Sequence, residues 1–359
     1  MTGRPPAPAT LTDRAAAMLQ RSWESRGALS TALLPAAAAF EAIAAARRRL
    51  FARGWRESAR LPVPVVVVGN LVVGGAGKTP TTIAVVDLLE RGGYTPGIVS
   101  RGYGRDGGAI VLVGPDADAR DVGDEPLLLQ RRTGVPVAVG ADRVGAGYAL
   151  LDAHPRVDVI VSDDGLQHLA LERDVEVLVF DERGAGNGRM LPAGPLRERI
   201  PPALGPRQIA LYNADARTTR LPGYLAQRTL AGAVSLDAWW QGAAPSRPTL
   251  ESLRDRELVA VAGMARPERF FAMLRDVGLG IIERPLGDHA DFTSLPWPAS
   301  TADVILTEKD AIKLAPTRSG GTRVWVARLD FVPEPGFGSA LLALLPPPSP
   351  IEPNGNSPA

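Results

Sequence analysis

Short, largely apolar runs punctuate this chain, at residues 65–68, 97–99, 135–139, 157–161, 175–180 and 208–212, broken only by Asp158, Glu176 and Gln208. Runs of that length with no polar alternation suit strands of a parallel sheet that is covered on both faces. Between them the rhythm changes. Ile83, Val86 and Leu89, with Val85 and Leu88, return at helical spacing until Gly92-Gly93 stops them, and residues 127–132 and 142–151 read the same way. The periodicity lapses around 217–227 and then resumes as apolar runs at 258–262, 280–282, 303–307 and 324–327, with a helix over 267–277. Strand alternating with helix predicts an α/β protein in two parts, a main unit over 61–227 and a smaller one over 228–345. Residues 1–34 form an extension, and the Pro- and Ser-rich residues 346–359 are expected to be disordered.

One further helix is predicted over 35–60, after Pro35. At 100° per residue Phe40, Ile43, Ala44, Leu50, Phe51 and Trp55 share an arc, while Glu41, Arg48, Arg49 and Arg53 take the other side. Arg47, Arg48, Arg49, Arg53, Arg56 and Arg60 place six positive charges in a short span against one acid, Glu57. Two readings fit: an amphipathic helix lying in a lipid headgroup layer, or a helix packed on the protein with its arginines in solvent. The apolar stretch is shorter than the ~20 residues that a spanning helix needs, so no bilayer crossing is expected. No secretory signal is read in the first thirty residues.

Chemistry concentrates where the first strand ends. Residues 64–82, PVVVVGNLVVGGAGKTPTT, read as strand, glycine-rich phosphate loop and helix. In that motif backbone N–H groups of the loop and the helix N-terminus surround phosphate oxygens, the lysine reaches the β and γ phosphates, and the hydroxyl helps to hold Mg²⁺. Val72, Val73, Gly74, Gly75, Ala76, Gly77, Lys78 and Thr79 would form the nucleotide cradle, with Val72 where the usual pattern has glycine. The fold class is therefore P-loop NTPase-like, a mostly parallel sheet with helices on both faces. The strand over 157–161 runs on into Asp163-Asp164, which suits the second Mg²⁺ carboxylate of such an enzyme better than a pair of turn aspartates. Asp124 and Glu125 open a helical stretch, either as helix-dipole partners or as a base or metal carboxylate. Ser100-Arg101-Gly102-Tyr103 could grip a phosphate or sugar, or form a surface turn, and residues 184–197 are too long and glycine-rich for an ordinary connection.

Composition narrows the classes. Forty basic and thirty-nine acidic residues leave a net charge of +1, which argues against a nucleic-acid-coating protein. The absence of cysteine excludes disulfides and cysteine-ligated zinc or iron–sulfur centres, and three histidines make a histidine-rich metal site a poor fit.

Seven blocks, VPVVVVGNLVVGGAGKTPTT, SRGYGR, GDEPLLL, VIVSDDGLQHLAL, GNGRMLPAGPLRE, VAGMARPERFF and LTEKDAIKL, occur in the order found in the tetraacyldisaccharide 4'-kinases, the lipid A 4'-kinases of Gram-negative bacteria. The chain resembles that family from about residue 33 to residue 345. The resemblance implies transfer of the γ-phosphoryl group of ATP, with Mg²⁺, to the 4'-hydroxyl of a tetraacylated glucosamine disaccharide 1-phosphate, giving lipid IVA. It implies Lys78, Asp124 and His289 as catalytic residues, Asp124 taking the hydroxyl proton with His289 as partner. Thr79, Asp163 and Asp164 would serve the metal; Ser100, Arg101, Tyr103, Gln167, His168, Asn187 and Arg189 would contact substrate. At Gly287-Asp288-His289 the family more often has Pro-Asp-His-His. A peripheral location on the cytoplasmic face of the inner membrane follows from the resemblance, as does lipid docking by the helix over 35–60. No nucleic acid and no obligate protein partner are expected. The alternative class, a protein-targeting or metal-insertion ATPase or GTPase, often has a lysine before the two glycines, where this chain has Val73.

Overall fold

The computed structural model describes residues 18–348 except 106, 115, 116, 265, 288, 289 and 291. The described residues build a twelve-stranded sheet in the order β10-β9-β11-β12-β8-β7-β6-β1-β5-β2-β4-β3. The main unit holds β1 (Val65–Gly69), β2 (Pro96–Ser100), β3 (Val111–Leu112), β4 (Val137–Val139), β5 (Val159–Asp163), β6 (Val175–Asp181) and β7 (Gln208–Asn213). Here β1 lies between β5 and β6, and all neighbours run parallel except β3 against β4. The valines of β1 explain why the run had to be unbroken: Val66 and Val68 enter one core, Val65 and Val67 the other, and all four are buried.

β8 (Tyr224–Ser235) does not stop at the expected boundary between 227 and 228 but runs through it. Only Tyr224 and Leu225 pair with β7, through Leu211 and Tyr212, so the rest of β8 projects beyond the carboxyl edge of the main sheet. There it pairs antiparallel with β12 (Arg323–Pro333), from Trp325 opposite Ser235 to Pro333 opposite Ala226. β11 (Asp303–Thr307), β9 (Leu258–Ala262) and β10 (Ile281–Pro285) follow β12 in parallel. Because β12 reverses direction against β8, the carboxyl ends of β9 and β11 point back toward the main unit. Two carboxyl edges, where α/β proteins place ligands, thus face one another. One core is continuous through both units, from Val66 and Val177 through Ala226 to Val259, Val304 and Val326.

The helix expected over 35–60 is Leu34–Ala52, preceded by a short helix Ala28–Ala32. Its docking differs from the predicted two-sided arrangement. Ala37 and Phe40 pack on Val72, Met190, Ala193 and Leu196, while two residues of the nominal polar side also face the protein: Glu41 pairs with Arg199 and Arg48 with Glu198 (2.6 Å). The reason is size. Alanine brings the helix close enough for these longer side chains to reach partners on the 184–200 loop. Ile43 and Trp55, from the nominal apolar arc, stand 70% and 71% exposed. Pro346 is described, its carbonyl accepting from Tyr94 Oη, whereas 349–359 lie outside the described residues.

Candidate active site

The phosphate loop leaves β1 and enters the helix Lys78–Arg91 through Gly77, whose φ of +93° is left-handed. Glycine is required there twice over, since a Cβ would also stand 2.6 Å from Asn213 Nδ2 and 3.0 Å from Arg228 Nη2. Asn213, at the end of β7, donates to Ala76 O (3.1 Å), and Asn70 donates to Gly74 O (3.1 Å), so side chains on both flanks hold the loop. The valine at 72 has a structural reason. It forms an antiparallel bridge with Leu196, is 3% exposed, and is flanked by Val73 N–H donating to Pro195 O (2.8 Å) and Arg197 N–H to Leu71 O (2.8 Å). The long glycine-rich connection is thereby fastened along the start of the loop.

Lys78 Nζ lies 3.5 Å from Gly74 O and 3.7 Å from Asp164 Oδ2. Asp164, with a φ of +49°, also meets Arg197 at 3.3 Å. Its neighbour Asp163 is buried and accepts from Thr82 Oγ1 (2.9 Å) and, at 3.4 Å, from Ser100 Oγ. Burial first, and then the carboxylates of Glu125 and Asp164, push the Asp163 carboxyl up to about 7 against the opposing pull of Lys78 and Thr82. Among the described residues no three carboxylates or imidazoles converge into a metal cage. Carboxylates that feel one another without converging fit Mg²⁺, which takes one or two of them and completes its octahedron from phosphate oxygens and water. Thr79, Asp163 and Asp164 are accordingly the residues that fit that ion.

A cleft of about 880 Å³ runs from Gly74, Lys78 and Thr79 across Glu125 to Gly287 and Thr307 of the smaller unit. Arg228 lines it, half-buried, with its Nε buried and unpartnered; desolvation lowers its proton affinity below the ordinary arginine value, and the charge of Asp181 opposes this. A half-buried guanidinium beside a phosphate loop suits a negatively charged ligand. Asp124 begins the helix Asp124–Thr133, and Gly123, at φ +93°, lets the turn press against Gly102 and Tyr103 of the Ser100–Arg105 loop, where a Cβ would meet Tyr103 O at 3.2 Å. Asp124 Oδ2 stands 3.5 Å from Lys313 Nζ of the smaller unit. His289, its expected partner, lies outside the described residues.

The remaining expected contacts divide. Arg101 and Tyr103 are exposed, and Gln167 joins Asn70 O, Glu198 and Arg197. His168 is held neutral, its imidazole pulled down to about 4 by burial and Arg143, with Nε2 buried and unpartnered. Arg189 donates to Ser30 Oγ (2.9 Å) and Thr31 Oγ1 (3.1 Å). Two expectations change. Ser100 is turned inward onto Asp163, because β2 runs one residue further than its apolar run. Asn187 is a tie rather than an open contact: its amide donates to Ser30 Oγ and Ala193 O (both 2.9 Å) and lies near Ser22 O and Ser25 O, and its Oδ1 accepts from Arg189 N–H. Asn213, Arg228 and Lys313 were not expected; each acts through partners far away in sequence, which spacing along the chain does not signal.

A phosphate loop on the central strand, acidic residues at the next strand end and a cleft closed by a second α/β unit define a P-loop kinase. A family model, tetraacyldisaccharide-1-P 4'-kinase, matches residues 29–346, and the chain belongs to that family. It is 55% identical over 339 residues to the tetraacyldisaccharide 4'-kinase of Methylibium petroleiphilum, covering 93% of this chain and 95% of that one. The Leptothrix cholodnii tetraacyldisaccharide 4'-kinase is 56% identical over 338 residues, covering 93% and 97%. The crystal structure of apo-form LpxK from Aquifex aeolicus in complex with ATP superposes with a TM-score of 0.73 at 26% identity, covering 88% of this chain and 99% of that one.

Proposed function

We propose that this chain is a tetraacyldisaccharide 4'-kinase, transferring the γ-phosphoryl group of ATP to the 4'-hydroxyl of an acylated glucosamine disaccharide 1-phosphate. The observation that carries the reading is the shared cleft, which brings Lys78, Thr79 and Arg228, with its buried and unpartnered Nε, together with residues of the smaller unit. Phosphoryl transfer asks for alignment and compensation of spread negative charge rather than for covalent chemistry by the protein. The loop N–H groups over 74–79 cradle the phosphates while Lys78 and Arg228 offset their charge. Thr79, Asp163 and Asp164 would hold Mg²⁺, and the ion would supply positive charge to offset that of the phosphates. Asp124 takes the acceptor proton, with His289 as its partner; Arg101, Tyr103, Gln167, His168 and Arg189 are the acceptor-side candidates.

An acceptor with several acyl chains resides in a bilayer, so the enzyme works at a membrane surface, on the cytoplasmic face of the inner membrane. No described helix is long and apolar enough to cross a membrane. Exposed Ile43 and Trp55, among exposed Arg47, Arg49 and Arg53, support docking by the Leu34–Ala52 helix, each arginine near an anionic surface contributing about 1 kcal/mol.

The test is incorporation of phosphate from ATP into the acylated disaccharide 1-phosphate in the presence of Mg²⁺. Wild type is expected to yield a bisphosphorylated lipid, and Lys78→Ala to lose at least about 100-fold in rate. A Lys78→Ala variant as fast as wild type removes the proposal.

A further inference from the structure

The LTEKDAIKL block has no role in the chemistry so far, and the structure gives it one. Thr307 caps the short helix Glu308–Ala311, and buried Asp310 accepts from Gly263 N–H (3.0 Å) and Thr307 Oγ1 (2.7 Å), which fixes the turn to β9 and β11. The backbone of Lys313 continues that turn, donating to Asp310 O (3.1 Å). Its side chain then reaches away from its own unit with only 5% exposed, ending 3.5 Å from Asp124 Oδ2. The same ammonium donates to Ala290 O (3.0 Å), in the loop that carries residues 287–291. A buried ammonium is expensive to leave unmatched, and these two oxygens come from different units.

We propose that Lys313 is a positioning residue for phosphoryl transfer: one ammonium ties the Asp124 carboxylate to the backbone of Ala290 in the smaller unit. The proposal rests on the reading of Asp124 as the proton acceptor. Lys313 acts through that carboxylate: it orients it toward the acceptor and registers the Ala290 backbone against it. Near-attack geometry is lost steeply with displacement, a misplacement of about 1 Å costing on the order of 100-fold.

The test uses the full chain with ATP, Mg²⁺ and the acylated disaccharide 1-phosphate. An inactive wild type, or a fully active Asp124→Asn, sinks the underlying reading without reference to Lys313. Where both stand, Lys313→Met is expected to lower kcat about 10- to 100-fold with KM for ATP within about twofold of wild type. The double variant Asp124→Asn with Lys313→Met should be no slower than Asp124→Asn alone, because the lysine acts through that carboxylate. Lys313→Gln, which can still donate to Ala290 O, should fall between wild type and Lys313→Met. A kcat within twofold of wild type for Lys313→Met overturns the proposal, as do losses that multiply in the double variant. So does loss of ATP binding in both the Met and Gln variants, which would make the lysine a support of the fold alone.

Discussion

Gly77 concentrates several demands on one residue: a left-handed backbone, the start of a helix and the approach of Asn213 and Arg228. Gly77→Ala would strain the turn and push Asn213 off Ala76 O, so ATP affinity should fall at least about tenfold, a loss of ~1.4 kcal/mol, measured by equilibrium titration with the nucleotide. Asp163 makes a different prediction. Its carboxyl is raised from 3.8 to about 7, so between those values the folded chain binds more protons than the unfolded one. Stability of the metal-free chain therefore falls as pH rises through that window, by up to about 1.4 kcal/mol for each unit. Asp163→Asn should unfold at higher temperature than wild type at pH 8 without Mg²⁺, with the difference vanishing near pH 4, while phosphorylation is lost. Thermal melts at the two pH values check the sign. At this scale Lys78, Thr79 and the acidic pair were legible because they follow strand ends in a fixed local order. Asn213 and Arg228 were not, since each meets the loop from more than a hundred positions away.

Among the elements, the buried strands were the most legible: β9 and β11 occupy the same residues as the apolar runs that predicted them. Alternate burial on two faces forces an uninterrupted apolar sequence, so the signal is strong. β12 was read short and β8 was not read as a strand, because Gln227, Arg228 and Arg328 interrupt the apolar pattern where the two strands pair with each other. The Leu34–Ala52 helix was placed by its sequence but not oriented by it. Which face docks was decided by Glu198 and Arg199, which recruit Arg48 and Glu41. Its free side makes a clean test: replacing Ile43 with aspartate together with Arg47, Arg49 and Arg53 with glutamate should reduce sedimentation with anionic vesicles at least about tenfold, from the charges alone. ATP binding should be unchanged. Full retention on the vesicles would assign this helix to packing only.

For the molecule as a whole, a buried ion pair sits where the two units meet. Arg132, from the Asp124–Thr133 helix, bonds Glu308, which also accepts from Trp239 Nε1 (3.2 Å), and Arg132 reaches Asp330 at 3.3 Å. Removing one partner of a buried pair strands the other charge, at a cost of about 3–5 kcal/mol. Arg132→Met should therefore lower unfolding stability by that order in denaturant titration, and it should broaden the transition if the smaller unit opens first. The return of α/β structure after residue 228 was visible in the resumption of strand-helix alternation. Its geometry was not, because the reversal of β12 against β8 is a pairing and leaves no mark in periodicity.

That β8 pairs with β7 at its start and with β12 along the rest has a practical corollary. A cut between 227 and 228 would pass through a paired strand and leave β12 facing water along the edge where Ala226 and Gln227 had been. Neither fragment would then own a complete edge, so the halves should refold only when mixed. Any swing of the smaller unit must be a twist of a two-stranded stem rather than the swivel of a slack tether, and its arc is limited by how far that stem can bend.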